Sequence, residues 1–485
     1  MERLTGLDAT FLHVQTPNIH MHTLKVAVVD DLPETGENTF ERFREELGRR
    51  LHLLPPFRRR VVEVPLGFHH PVWIEDPNFD LDFHLRRAAV PEPCGHREMD
   101  DMVADIASHP LDHRHPLWEI WRLEGLADGG IAYVAKIHHS LADGVAAAHL
   151  LANVMSAHRG VAEPSSPAPD AWTPEPIPSG GRLLVDAFVA HIRQLVYLVP
   201  LIVRTLAGFA RLIGHRLSGG VRAPMPFEGP STSLNRSLTA ARSFATTTVP
   251  LDAVRAAKSQ LGVTMNDVVL AIVGGGIARY LEKRGEPPRR SLVASVPVAA
   301  PGADDPQRLT GNRLSNVFTS LCSDIDDPVA RAHAVHDRMA AAKASHEKLG
   351  SSVMEQWAEY MPPRPYGWLM RLYSGLKLST WHRPPANAIV SNVRGPAETL
   401  YIAGVKLRSL YSVGPVVEGI GVNVTAWSYA GDLSFTVIAG REAVPDAHEL
   451  TDCIEGAIAE LAAAVARDDA ENAGGTLVMQ SGRRR

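Results

Sequence analysis

The chain has 485 residues, of which 45% are hydrophobic and 21% charged, and its formal net charge is -5. That length is well past the ~250–300 residues at which a single core stops growing, so it predicts two domains, and the charge balance leaves no basic footprint for nucleic acid. Cys94, Cys322 and Cys453 are scattered, which fits a reducing cytoplasm and excludes a disulfide frame or zinc site. The opening Met1-Glu2-Arg3-Leu4-Thr5-Gly6-Leu7-Asp8 lacks the basic-then-apolar order of a signal peptide.

Residues 1–160 read as one mixed α/β domain. A strand is predicted over 25–29. Phe40, Phe43, Leu47 and Leu51 recur at three- and four-residue spacing, the mark of an amphipathic helix, which Pro55-Pro56 ends. Arg58-Arg59-Arg60 follows, as a solvated edge or a phosphate site. His115-Pro116-Leu117-Trp118-Glu119-Ile120-Trp121 begins a strand, and the turn Ala127-Asp128-Gly129-Gly130 pairs it with the next strand, placing Trp118 and His139 in one hairpin.

That next strand is the most informative stretch: Ile131-Ala132-Tyr133-Val134-Ala135-Lys136-Ile137-His138-His139-Ser140-Leu141-Ala142-Asp143-Gly144. It reads as a strand, a bend, and then an Ala-rich helix over 145–155. Adjacent strand side chains face opposite ways, so the two histidines have different jobs, one packed inward and the other facing a cleft. A neutral imidazole is well matched to taking a proton from a hydroxyl near pH 7, which makes His139 a candidate general base, with His138 beside it. Asp143 suits a helix cap that holds the bend, and Gly144 permits close backbone approach. Two core histidines and a capping aspartate are the plainer alternative. Adjacent strand histidines diverge and no cysteine pair or H-E-x-x-H accompanies them, so metal binding is disfavoured.

Residues 161–180 carry six prolines among small and acidic residues and read as a linker. Residues 182–217 are apolar, with Arg182, Arg193, Arg204, Arg211 and Arg216 against the single acid Asp186. The longest uncharged run, 194–203, falls short of the ~20 residues that span a bilayer. One or two helices lying in a membrane or lipid-droplet surface, or a buried helix pair, are the two readings.

Residues 235–470 read as a second α/β domain. A helix opens at Met265-Asn266-Asp267, with Asn266 or Asp267 as cap, and Gly274-Gly275-Gly276 inside it needs close packing or a ligand to offset ~1 kcal/mol each. Strands are predicted over 292–298, 387–396, 419–429 and 433–438, and Asp327-Pro328 starts a long helix. A last helix reaches about Ala464, and 471–485 is a polar tail expected to be disordered. No strand-linked G-x-G-x-x-G, P-loop or G-x-S-x-G is present, which argues against nucleotide chemistry and a serine acyl-enzyme.

Pro116-Leu117-Trp118-Glu119, the His138 to Gly144 motif, Asn266-Asp267, Gly311-Asn312 and Ser391-Asn392-Val393, with the opening eight residues, together resemble the bacterial wax ester synthase/acyl-CoA:diacylglycerol acyltransferase family over residues 1 to about 465. The histidine motif alone is shared with peptide-synthetase condensation domains. The resemblance implies an α/β fold of mixed sheets, in two chloramphenicol acetyltransferase-like domains meeting at a tunnel. It implies His139 as general base, Asp143 as structural, and Asn266 and Asp267 as the second-domain pair beside substrate. It further implies acyl-CoA as substrate with no cofactor, and diacylglycerol or a long-chain alcohol as acceptor; the cysteines and the 182–217 stretch point to a cytoplasmic enzyme, free or peripheral at the inner membrane face or lipid droplets. Arg394 and Val298-Ala299-Ala300-Pro301 depart from the family pattern and leave acceptor choice open. A carrier-bound thioester or amine acceptor is the runner-up, and an inactive lipid-surface protein the non-enzyme alternative.

Overall fold

The computed structural model describes residues 1–30, 39–158, 174, 176–217, 222–300, 302–303, 305, 308–350 and 352–482. Most of the Pro-rich stretch and the final Arg483-Arg484-Arg485 lie outside the described residues. Two large mixed sheets carry the molecule. In the first, seven strands run in the order Leu85–Ala89, Trp118–Glu124, Gly130–His138, His22–Asp30, Val405–Val413, Tyr401–Ile402 and Met155–Ser156. In the second, six run Leu314–Ser320, Val293–Ala299, Ala388–Arg394, Val422–Tyr429, Asp432–Gly440 and Arg242–Pro250. The expected hairpin is present, with Trp118 opposite Ile137. The histidine strand is central, paired on its other edge with His22–Asp30, so that His22 faces His138.

A boundary at 235 would give every later strand to the second half, but the pairing does not follow it. Strand Val405–Val413 crosses to the first sheet and lies antiparallel to His22–Asp30, with Leu410 opposite Ala27. Its Val405, Leu407, Leu410 and Val413 are all buried. A strand buried on both faces needs a sheet neighbour for its amides, and the open edge of His22–Asp30 supplies one. The last helix, Ala447–Gly482, also runs past the expected end near Ala464, through residues read from sequence as a disordered tail.

Arg58, Arg59 and Arg60 pair with Glu75, Glu2 and Asp76 at 3.6, 2.7 and 3.8 Å, so this run is an ion-paired edge. In helix Met265–Lys283 the cap is Thr264, two residues before the expected pair. Its hydroxyl accepts from the Asp267 amide, and the Asp267 carboxylate accepts from the Thr264 amide. The triple glycine is explained by packing. A Cβ at Gly274 would lie 2.5 Å from the Leu321 carbonyl, and one at Gly276 would lie 2.7 Å from Ile454 Cγ1.

Gly274→Ala gains ~1 kcal/mol of helix propensity but must displace backbone, at a cost of about 1–3 kcal/mol. A lowered thermal midpoint is expected; an unchanged or raised one would overturn the packing explanation.

Candidate active site

The strand ends at His138, and the chain then bends through Ser140 and Leu141 into helix Gly144–Val154. The His139 amide bonds the Met21 carbonyl at 2.8 Å, holding the bend to the neighbouring strand. His138 is fully buried, and both of its ring nitrogens are engaged. The Ser140 amide donates to Nδ1 at 3.1 Å, so Nε2 carries the proton and donates to Gln15 Oε1 at 3.0 Å. Grouped with His139 as catalytic on sequence grounds, His138 has no free lone pair and fixes the bend instead.

His139 is half-buried, and its ring stacks on Phe11 at 4.2 Å between centroids. Its Nδ1 lies 2.8 Å from Asn312 Oδ1. The Asn312 amide nitrogen donates to Asp8 Oδ1 and to the His139 carbonyl, both at 2.7 Å, which makes Oδ1 the acceptor. Nδ1 therefore carries the imidazole proton and Nε2 keeps its lone pair. Burial is the main influence lowering the His139 pKa below its ordinary 6.5, against the Asp143 charge and the Asn312 bond, so the ring is neutral at pH 7.

Asp143 does not touch the imidazole. Its Oδ1 accepts from the Ala146 amide at 2.9 Å and from Arg308 at 2.7 Å, and its Oδ2 accepts from the Arg313 amide at 2.9 Å. It caps the helix and ties the bend to the 308–313 segment of the second half. Gly311 completes the tie, donating its amide to the Leu141 carbonyl at 3.0 Å. Gly144 leaves room at the helix start, since a Cβ there would meet only Val393 Cγ2 at 4.0 Å. Asp267 is bound to Thr264 and, at 2.7 Å, to His336. Asn266 holds a buried amide nitrogen without a protein partner. No hydrogen bond among the described residues joins this pair to the His139 network.

Asp8, Phe11 and Asn312 are the residues whose roles sequence reasoning missed. Asp8 and Asn312 stood inside quoted motifs, but 304 positions separate them. Asp8 is buried, and burial pushes its carboxyl up to about 7 although Asn312 and Thr5 donate to it. Lys25, buried on the neighbouring strand with its Nζ on Ser412 Oγ, is brought down to about 8 by the same cause.

One cavity lies against the histidine strand and a second lies beyond Gln15, the partner of His138. The first, of about 70 Å³, is lined by Tyr133, Ala135 and Ile137, which share a sheet face with His139, together with Lys25 and Leu150. The other, about 590 Å³ and of mixed polarity, is lined by Gln15, Glu63, His113, Arg364 and Arg371 among others. Among the described residues, no cluster of three His, Cys, Asp or Glu side chains is placed to hold a metal.

Residues 4–269 match the wax ester synthase/diacylglycerol acyltransferase catalytic domain, and 310–462 match the C-terminal domain of the same family. A Mycobacterium tuberculosis protein provisionally named a diacylglycerol O-acyltransferase is 40% identical over 451 residues, covering 93% of this chain and 94% of that protein. The wax ester synthase/diacylglycerol acyltransferase of Marinobacter aquaeolei VT8 superposes with a TM-score of 0.66 at 24% identity, over 96% of this chain and all of that one. The first condensation domain of the CDA synthetase gives 0.58 at 16%, over 96% and 95%. The fold is therefore the mixed-sheet, chloramphenicol acetyltransferase-like arrangement.

Asn312→Ala removes the acceptor that holds the His139 tautomer, and kcat for acyl transfer should fall about 10²-fold or more while KM for the acyl donor changes little; an unchanged kcat would show that the tautomer is held otherwise. Titration of His139 by NMR should give a midpoint below 6.5, and a midpoint above it would contradict the desolvated, neutral ring.

Proposed function

The chain belongs to the wax ester synthase/diacylglycerol acyltransferase family and is an O-acyltransferase, and on that premise we propose that it transfers a long-chain acyl group from coenzyme A to a hydroxyl lipid, diacylglycerol or a long-chain alcohol, with His139 as general base. The observation that carries this reading is the His139–Asn312–Asp8 chain of hydrogen bonds, which leaves Nε2 unprotonated.

A thioester is already activated. The enzyme has to bring the alcohol to it, take the hydroxyl proton and stabilise the tetrahedral oxyanion. The hydroxyl oxygen attacks the thioester carbonyl carbon as its proton passes to His139 Nε2. The carbon–sulfur bond then breaks, and Nε2–H returns the proton to the departing thiolate. Direct transfer needs no acyl-enzyme, in keeping with a sequence that has no G-x-S-x-G elbow. Asn266, with a buried N–H donor and no protein partner, has the property an oxyanion donor requires. Asp267 holds the helix start behind it, and Gly144 leaves space for the thioester arm. Burial around His139 limits water, whose attack on the thioester competes with transfer. The coenzyme is a substrate here, no cofactor enters the reaction, and a cytoplasmic location agrees with three unpaired cysteines.

Thiol release from palmitoyl-CoA, followed with diacylglycerol, hexadecanol or no acceptor, tests this directly. Acceptor-dependent release with intersecting, sequential kinetics is expected, and His139→Ala should abolish it while the thermal midpoint is kept. Parallel-line kinetics, or turnover in the mutant, would sink the mechanism, and no release with any acceptor would sink the substrate assignment.

A further inference from the structure

Residues 182–217 form neither a broken pair nor a buried one: Gly180–Leu217 is one continuous 38-residue helix with Pro200 inside it. Only a narrow stripe packs on the body, through Leu183, Ala187, Leu201, Gly208 and Leu212. Gln194 donates to the Glu359 carbonyl and Trp357 donates to Thr205, both at 3.0 Å, and Arg3 pairs with Asp186, so the helix is fastened along its length. It is long and apolar enough to cross a membrane, but a helix fastened sideways to a folded body lies along a surface.

The rest of its circumference has the wrong chemistry for water. Val185, Phe188, Leu195, Val199, Leu206 and Phe209 are exposed, between 46% and 67%. A surface helix of a soluble protein carries polar residues there. Beside this apolar face run Arg182, Arg193, Arg204 and Arg211, spaced by 11, 11 and 7 residues. At about 100° per residue these spacings hold all four within about 40° of one another, one cationic line along the helix. The only acid on the helix, Asp186, is taken by Arg3.

The apolar face continues onto a second element. The turn Pro65–Gly67 touches both Gly180 and Arg364, and Phe68 packs against His191 of the long helix. Helix Pro363–Gly375 beyond it exposes Trp368, Leu369 and Leu372. Its adjacent side, Arg364, Gly367 and Arg371, is a wall of the 590 Å³ cavity. That cavity reaches Gln15, the partner of His138, at the end of the helix whose Phe11 stacks on His139.

The geometry points to a docking face for an anionic phospholipid surface, with the long helix lying in the interface and helix Pro363–Gly375 beside it bordering a cavity that would receive the lipid acceptor from that surface. The exposed aliphatic and aromatic side chains enter the acyl region, and the arginine line sits at headgroup phosphates. Acceptor delivery rests on the hydroxyl-lipid reading above; the docking face does not.

The test is flotation of the full chain with phosphatidylcholine vesicles, with and without phosphatidylglycerol, for the natural protein, Leu195→Glu/Leu206→Glu and Arg193→Glu/Arg211→Glu. Turnover of vesicle-borne diacylglycerol is measured beside turnover of a short, water-soluble alcohol. The natural chain should float, more strongly with phosphatidylglycerol. Each double variant should lose binding and vesicle-borne turnover about tenfold and keep turnover of the soluble alcohol. A natural chain that stays at the bottom of the gradient, variants that float equally well, or a face that sedimentation shows covered by a second copy would each overturn the proposal. Loss of flotation in the variants, with no turnover of either acceptor in any form, would support the docking face and remove the hydroxyl-lipid reading.

Discussion

The amide of Asn312 accepts the His139 Nδ1 proton through its oxygen and donates through its nitrogen to Asp8 and to the His139 carbonyl. A primary amide has no further kind of group to offer, so its orientation is fixed by its partners, and with it the imidazole tautomer. The three residues come from the first helix, the histidine strand and a segment of the second half. The proposed base has this tautomer fixed only when both halves are joined. Asp143 works on the same joint from the other side, binding the Arg308 guanidinium and the Arg313 amide while it caps the helix that follows the bend.

Burial governs the electrostatics around this joint. It lowers His139, His138 and His22, raises Asp8 to about 7 and brings Lys25 to about 8. All five shifts favour the uncharged form, the direction desolvation imposes. In the proposed reaction a neutral imidazole in a water-poor site takes a proton from an alcohol without competition from bulk water for the activated acyl group. The ionic pair Asp143–Arg308 is kept at the bend, where its charges hold chain segments together.

The long helix shows how one composition supports opposite placements. Its apolar residues suit burial and a lipid surface equally well, and only the packing separates them: the body covers one stripe and leaves the rest open. The arginine line was present in the sequence, but it acquires meaning once the helix is known to be continuous through Pro200, because a break there would rotate the two halves out of register.

Local chemistry was legible from residues alone. The period-two run into His138-His139, the turn before it and the Ala-rich helix after it specify the hairpin and the bend, and alternation along a strand already separates the two imidazoles. The family motifs extended this to the mixed-sheet fold. Long-range partners were not legible. Thr264 displaced Asn266 and Asp267 as cap, because a capping box needs only a hydroxyl three residues before a carboxylate, and both arrangements fit the string. Strand Val405–Val413 joined the first sheet because an open edge was available there. Asn312 meets Asp8 across 304 positions, a closeness no local pattern encodes. The sequence by itself singled out His139 as the candidate base and determined what precedes and follows it. Tertiary structure alone decided which groups fix its proton, because hydrogen bonds depend on distance in space and the chain brings those groups together only by folding.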